Sequence, residues 1–254
     1  MKIFAVQYNI AWHNPEQNFK TIETLLQDKN LKGAIVVLPE MFNTGYTMHP
    51  ELVYGFKDAT LNWMSAFSAK HQCLLAGSLP VKENNKFYNR MYVYANGKKL
   101  AQYDKRHLFS NAGEDKTYSP GHSISTFEYK GFQIKAAICY DLRFPVWLRN
   151  QERYDLLILP ANWPAKRLKV WRTLLTARAI ENQSYVIGVN RTGIDNNGYE
   201  YHGNSMIIDA KGDILAQCTE DESVCEAEIS KTDLEAFRHK FDTLKDADNF
   251  NILI

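Results

Sequence analysis

The 254 residues carry a net charge of +1, with 45% hydrophobic and 23% charged side chains. That balance suits a single globular unit over residues 1–254, and it leaves no charge surplus to attract nucleic acid or an anionic membrane. No stretch approaches the roughly 18 uninterrupted apolar residues of a bilayer crossing, and the opening MKIFAVQYNI alternates like a strand instead of running on like a secretory leader. The expectation is a soluble, cytoplasmic protein.

The first strand covers residues 2–8. Asn14-Pro15 then caps a helix whose apolar residues Phe19, Ile22, Leu25 and Leu26 repeat at helical spacing. The run Ala34 to Pro39 has strand length and ends on Glu40. A carboxylate directly after a buried strand costs desolvation energy unless it is paired, hydrogen-bonded or used; capping the next turn is its plainer role. Residues 58–70 read as a second helix and Cys73 to Leu79 as a strand. Lys86 to Ala95 and Lys98 to Tyr103 flank Asn96-Gly97, a strong hairpin signal.

That hairpin runs into Tyr103-Asp104-Lys105-Arg106-His107, which is a solvated loop unless other residues enlist it. Ser110 to Gly121 is a long connection holding Glu114. A second hairpin through Lys130-Gly131 leads to a strand ending on Cys139, followed by a helix over 144–152 that begins near Pro145. The run Asp155 to Pro160 repeats the character of Ala34 to Pro39, suggesting a duplicated layout. A long helix over 165–183 is expected to present Val170, Leu174, Ala177 and Ile180 on one face. Strands follow at Tyr185–Asn190, around 205–209, 213–217 and 224–229, with a polar tail from Lys231 that forms a short helix or wraps a partner. Alternating β and α signals with hairpins in both halves argue for a layered α/β domain of two face-to-face sheets with helices outside. No glycine-rich phosphate loop is present.

Cys73, Cys139, Cys218 and Cys225 show no CxxC pair and read as free thiols. Cys139, at the carboxyl end of a strand and close to a helix start, is placed to become a nucleophilic thiolate; a buried core thiol is the alternative. None of the seven histidines stands at a comparable strand end to serve it as a base, which argues against a cysteine peptidase. A buried carboxylate can replace the histidine, and an ammonium can stabilise the developing negative charge. Glu40, Lys105 and Cys139 together therefore make a workable acyl-transfer set.

VVLPEMFNTGY, YDKRHLF and AAICYDLRFP, in that order, resemble the three signature blocks of the nitrilase, or carbon–nitrogen hydrolase, superfamily. NWPAKR, ARAIENQ and GNSMIID are similar to its later blocks, and CYDLRFP with DLLILPANWP most resembles the omega-amidase branch. The resemblance implies a four-layer αββα sandwich paired as a homodimer. It also implies a triad of Glu40, Lys105 and Cys139, with Glu114 beside the lysine and neither metal nor organic cofactor. The implied reaction is hydrolysis of the terminal amide of 2-oxoglutaramate, 2-oxosuccinamate and related monoamides through a cysteine thioester. Nitrile hydrolysis, carbamoyl hydrolysis and non-catalytic binding are the competing readings. For the site, the backbone N–H of Tyr140 is the expected second oxyanion donor. Arg143 is the expected carboxylate partner because guanidinium binds carboxylates bidentately, with Phe42, Tyr46 and Trp163 as pocket walls.

Overall fold

The computed structural model describes residues 1–253. In chain order the strands are β1 Lys2–Gln7, β2 Ile35–Val37, β3 Leu74–Glu83, β4 Lys86–Ala95, β5 Lys98–Asp104, β6 Ser125–Tyr129, β7 Phe132–Ala136, β8 Leu156–Ala161, β9 Tyr185–Asn190, β10 Thr192–Ile194, β11 Glu200–His202, β12 Met206–Ile208, β13 Ile214–Gln217 and β14 Ser223–Glu228. The helices are α1 Pro15–Leu26, α2 Lys57–His71, α3 Glu114–Thr117, α4 Pro145–Leu148, α5 Leu168–Asn182 and α6 Lys231–Lys240. One six-stranded sheet has the order β14-β1-β2-β3-β4-β5 and the other β13-β12-β9-β8-β7-β6, while β10 and β11 form a separate hairpin.

Each large sheet is built around a parallel trio, β1-β2-β3 in the first and β7-β8-β9 in the second, with antiparallel strands on both flanks. This is the duplication suggested by the two Leu-Pro runs, each of which lies on the middle strand of its trio or at its end. Alternation along β1 explains the layering: Ile3 and Ala5 join the core against the second sheet, whereas Phe4 and Val6 join a second cluster under α1 and α2. The layers are α1 and α2, sheet, sheet, α5. Gly188 on β9 lets α5 come close, since a Cβ there would lie 2.5 Å from Leu175 Cδ1.

Several expectations are corrected. The buried face of α5 is Trp171, Leu175, Arg178, Ala179 and Asn182, one residue out of step with the expected face, and Ile180 is 51% exposed. The helix turns this way because Arg178 points inward to donate to the Leu142 carbonyl at 2.7 Å, a burial that sequence reading assigns to an apolar residue. Cys218 and Cys225 are not free thiols but form a disulfide, their Cα atoms brought to 5.5 Å where β14 folds back; Cys73 and Cys139 remain free. The strand before Cys139 ends at Ala136, and the helix after it is only Pro145–Leu148. The tail forms α6, pinned by Arg238 at 2.8 Å from the buried Asp155 carboxylate, which Lys231 also meets. Among the described residues no helix is long and apolar enough to cross a membrane.

Candidate functional site

Glu40, Lys105, Cys139 and Glu114 converge where the strands of both sheets end. Glu40 follows β2, Lys105 follows β5, Cys139 stands three residues beyond β7, and Glu114 opens α3. Glu40, Lys105 and Glu114 are at most 1% exposed and Cys139 is 8% exposed. This is the carboxyl end of the parallel strands, where open α/β sheets place ligands.

The lysine organises the polar contacts. Lys105 Nζ donates to Glu40 Oε1 at 2.8 Å and to Glu114 Oε1 and Oε2 at 3.0 and 2.9 Å. Asn89 on β4 donates its Nδ2 to Glu40 Oε1 at 2.7 Å and accepts the Lys105 backbone N–H at 2.9 Å. The other Glu40 oxygen accepts the Asn162 backbone N–H at 2.8 Å, so the residue that follows β8 in the second sheet fixes an acid carried by the first. Glu114 Oε2 accepts the Phe109 N–H at 2.6 Å, folding the loop after Lys105 back onto its own glutamate. Burial works against the lysine's charge, but Glu114 and Glu40 outweigh it and hold Lys105 protonated well above the ordinary range. Burial raises the Glu114 carboxyl despite the lysine beside it.

Cys139 has φ of +45°, a left-handed conformation uncommon outside glycine, and begins a 3₁₀ turn over Cys139–Arg143. Asp141 in that turn makes the bend possible. Its Oδ2 accepts the Ile138 N–H at 2.9 Å and the Tyr103 hydroxyl at 2.7 Å, while its Oδ1 accepts both the N–H and the ring Nδ1 of His107, at 2.9 and 2.8 Å. Burial first, then the Glu40 carboxylate, pushes the Cys139 thiol well up, and Lys105 offsets only part of this. The resting group is thus a thiol, not the thiolate suggested by its place near a helix start, and a base must take its proton. Tyr140, second in the turn, lies where leading N–H groups lack partners within the turn.

A cavity opens over the sulfur, lined by Tyr46, Phe109, Tyr140, Arg143, Trp163 and Arg167, with Tyr199 and Tyr201 from the β10–β11 hairpin at its side. Arg143, Tyr46 and Trp163 therefore line the cavity. Phe42 does not: it is fully buried in the cluster beneath α1 and α2, its ring 6.3 Å from Phe19 and 5.9 Å from Trp63. Sequence reading missed Asn89, Asp141, Asn162 and Arg167. A polar residue inside an apolar strand was the one available signal for Asn89; the others lie in turns whose partners are distant in sequence. Among the described residues no group of His, Cys, Asp and Glu is arranged to hold a metal.

Comparison with known proteins identifies the family. The chain is 40% identical over 254 residues to Omega-amidase YafV of Yersinia enterocolitica, covering 100% of this chain and 99% of that one. It is 36% identical to the 2-oxoglutaramate amidase of Bacillus subtilis, covering 89% and 90%. The crystal structure of XC1258 from Xanthomonas campestris, a CN-hydrolase superfamily protein with an arsenic adduct in its active site, superposes with a TM-score of 0.91 at 34% identity over 99% of this chain and 98% of that one. The carbon–nitrogen hydrolase family model matches residues 2–239. With that family's αββα sandwich and this cluster at its strand ends, the chain belongs to the carbon–nitrogen hydrolase family.

Proposed function

We propose that the protein is an omega-amidase that hydrolyses the terminal amide of 2-oxoglutaramate and similar short 2-oxo monoamides, with Glu40, Lys105 and Cys139 as its catalytic triad and Glu114 as the lysine's anchor. The observation that carries the reading is the Lys105 ammonium, 2.8 Å from Glu40 and 2.9 Å from Glu114, buried beside a free thiol. The names of the relatives supply the substrate class.

The chemistry follows from the protonation states. Glu40 takes the Cys139 proton as the sulfur attacks the amide carbon, and the carbonyl oxygen becomes an oxyanion. Once Glu40 is protonated its pull on Lys105 weakens, which frees an ammonium N–H for that oxyanion beside the Tyr140 backbone N–H. Glu40 returns the proton to the departing nitrogen, giving ammonia and a thioester. Water, deprotonated by Glu40, then adds to the thioester; the acid leaves and the sulfur regains its proton. Arg143, whose guanidinium lies 5.2 Å from the Trp163 ring centroid, is suited to bind the substrate carboxylate, with Tyr46 and Trp163 shaping the wall.

A homodimer is supported by the partly exposed apolar face that α5 and β13 share: Ile180 is 51%, Ile214 47% and Leu215 41% exposed. We place the reaction in the cytoplasm, where Cys139 stays reduced; the Cys218–Cys225 bridge is exposed there to the same reducing thiol pool. The test is ammonia release by the wild type and Cys139→Ser from 2-oxoglutaramate, glutamine, an aliphatic amide, a nitrile and an N-carbamoyl amino acid. Release from 2-oxoglutaramate above the others, lost in the variant, supports the reading. Release chiefly from the nitrile or the carbamoyl compound refutes it.

A further inference from the structure

Arg90, Arg153, Arg178 and Arg238 each meet a carboxylate. Among the described residues, the two arginines on the cavity wall, Arg143 and Arg167, meet none. Each lies instead against an aromatic ring, Arg143 at 5.2 Å from Trp163 and Arg167 at 4.9 Å from Phe109. A ring face steadies a guanidinium plane without consuming its edge donors, leaving both forks available to a ligand.

The location of Arg167 is itself fixed. It closes the 3₁₀ turn Ala165–Arg167 ahead of α5, and its carbonyl accepts the Trp163 indole N–H at 2.9 Å. Phe109, beneath it, is tied through its N–H to Glu114. Arg167 is thus tied directly to the Trp163 wall and lies over the ring of the residue that meets the lysine's glutamate. The charge balance gives it a task. Glu40 and Glu114 already engage the Lys105 charge, so a substrate carboxylate entering this cavity faces two buried acids. One free guanidinium offsets one of them; a second makes the cavity attractive to an anion.

We infer that Arg167 is a specificity-determining residue that holds the substrate carboxylate jointly with Arg143, so that the site selects anionic monoamides of short dicarboxylic acids over neutral amides of the same length. The inference rests on the amidase reading above and adds to it the residue that enforces charge selection.

The experiment compares wild type, Arg167→Gln and Arg167→Lys on 2-oxoglutaramate, succinamate and the neutral amide butyramide, reading kcat and KM for each. The expected result is a fall of about 10- to 100-fold in the anionic-to-neutral ratio of kcat/KM for Arg167→Gln, the scale of one lost charge-assisted hydrogen bond. The loss should lie mainly in KM for the anions, with part of the preference restored in Arg167→Lys. An unchanged ratio in Arg167→Gln, or equal losses on both amide classes in both variants, would show a packing role and overturn the inference. Wild type that hydrolyses butyramide as well as 2-oxoglutaramate overturns the charge selection alone, whereas wild type inert toward all three overturns the amidase reading beneath it.

Discussion

Asp141 Oδ1 accepts two hydrogen bonds from His107, one from its backbone N–H and one from its ring, and this pair ties the segment carrying Lys105 to the turn carrying Cys139. Lys105 lies two residues before His107 and Cys139 two before Asp141. Tyr103, on the other side of the lysine, donates to the same carboxylate. Asp141→Ala is expected to cost about 1–3 kcal/mol for each buried donor left unpaired, read from urea unfolding. Asp141→Asn keeps the size but loses acceptor capacity, so it should lower kcat more than it raises KM. Wild-type kinetics in Asp141→Asn would remove the positioning role.

Lys105→Met should lose about 10²–10³ in kcat, the usual consequence of deleting an oxyanion donor. It should also lose about 3–5 kcal/mol of stability, because Glu40 and Glu114 are left buried without a counter-charge. Glu114 already has a raised pKa, so its protonated form is favoured by the fold and the variant should regain stability as pH falls. Adding Glu114→Gln to Lys105→Met should recover part of the stability and none of the rate. A double variant no more stable than the single one would contradict the assigned charge balance.

The two free thiols give a pH dependence with a definite sign. Burial pushes the Cys73 thiol up to about 12 from an ordinary value of 9.0, and Cys139 is raised as well. Above the ordinary value the unfolded chain gives up these protons first. The stability they support is complete below about pH 9 and lost as pH climbs toward about 12. The urea midpoint of wild type should fall over that window, and less steeply in Cys73→Ala. Ellman's reagent at pH 8 should find Cys73 only after denaturation; rapid labelling in the native state would count against its burial.

α6 is held to the second sheet through one buried acid. Arg238 and Lys231 converge on Asp155, and Arg238 also reaches the Tyr154 carbonyl at 2.6 Å. Arg238→Ala should cost about 3 kcal/mol by leaving that carboxylate underpaired, and hydrogen exchange should show the α6 amides opening. Protection unchanged along 231–240 would mean that apolar contacts of Leu234 alone dock the helix.

Ile180 and Ile214 offer a test of self-association. If copies pair through α5 and β13, Ile180→Glu with Ile214→Lys should shift the mass seen by light scattering from dimer toward monomer. A monomeric wild type would dismiss this interface.

What the sequence disclosed depended on how local each signal was. Glu40 and Cys139 were legible because each closes an apolar run, a signal visible without a partner, although the strands themselves stop three residues earlier at Val37 and Ala136. Tyr185–Asn190 was read to its ends because all six residues are buried and both flanks are polar or turning. Helix α5 was rotated by one residue because Arg178 is satisfied by a carbonyl in the Cys139 turn, a contact no periodicity reveals. Phe42 was assigned to the pocket as an aromatic following a strand, yet Met41 before it has φ of +47° and the ring packs in the layer beneath α1 and α2. The cysteine pair went unread because the six intervening residues say nothing about the fold of β14.

The outer strand of the first sheet is drawn from the far end of the chain, with Lys2 opposite Glu228 and Gln7 opposite Ser223. During synthesis β1 therefore emerges long before the neighbour that covers its edge. Until residues 223–228 appear, that edge offers unpaired peptide groups to any passing strand. Refolding should likewise be limited by this long-range closure, and aggregation should rise with protein concentration until β14 is in place.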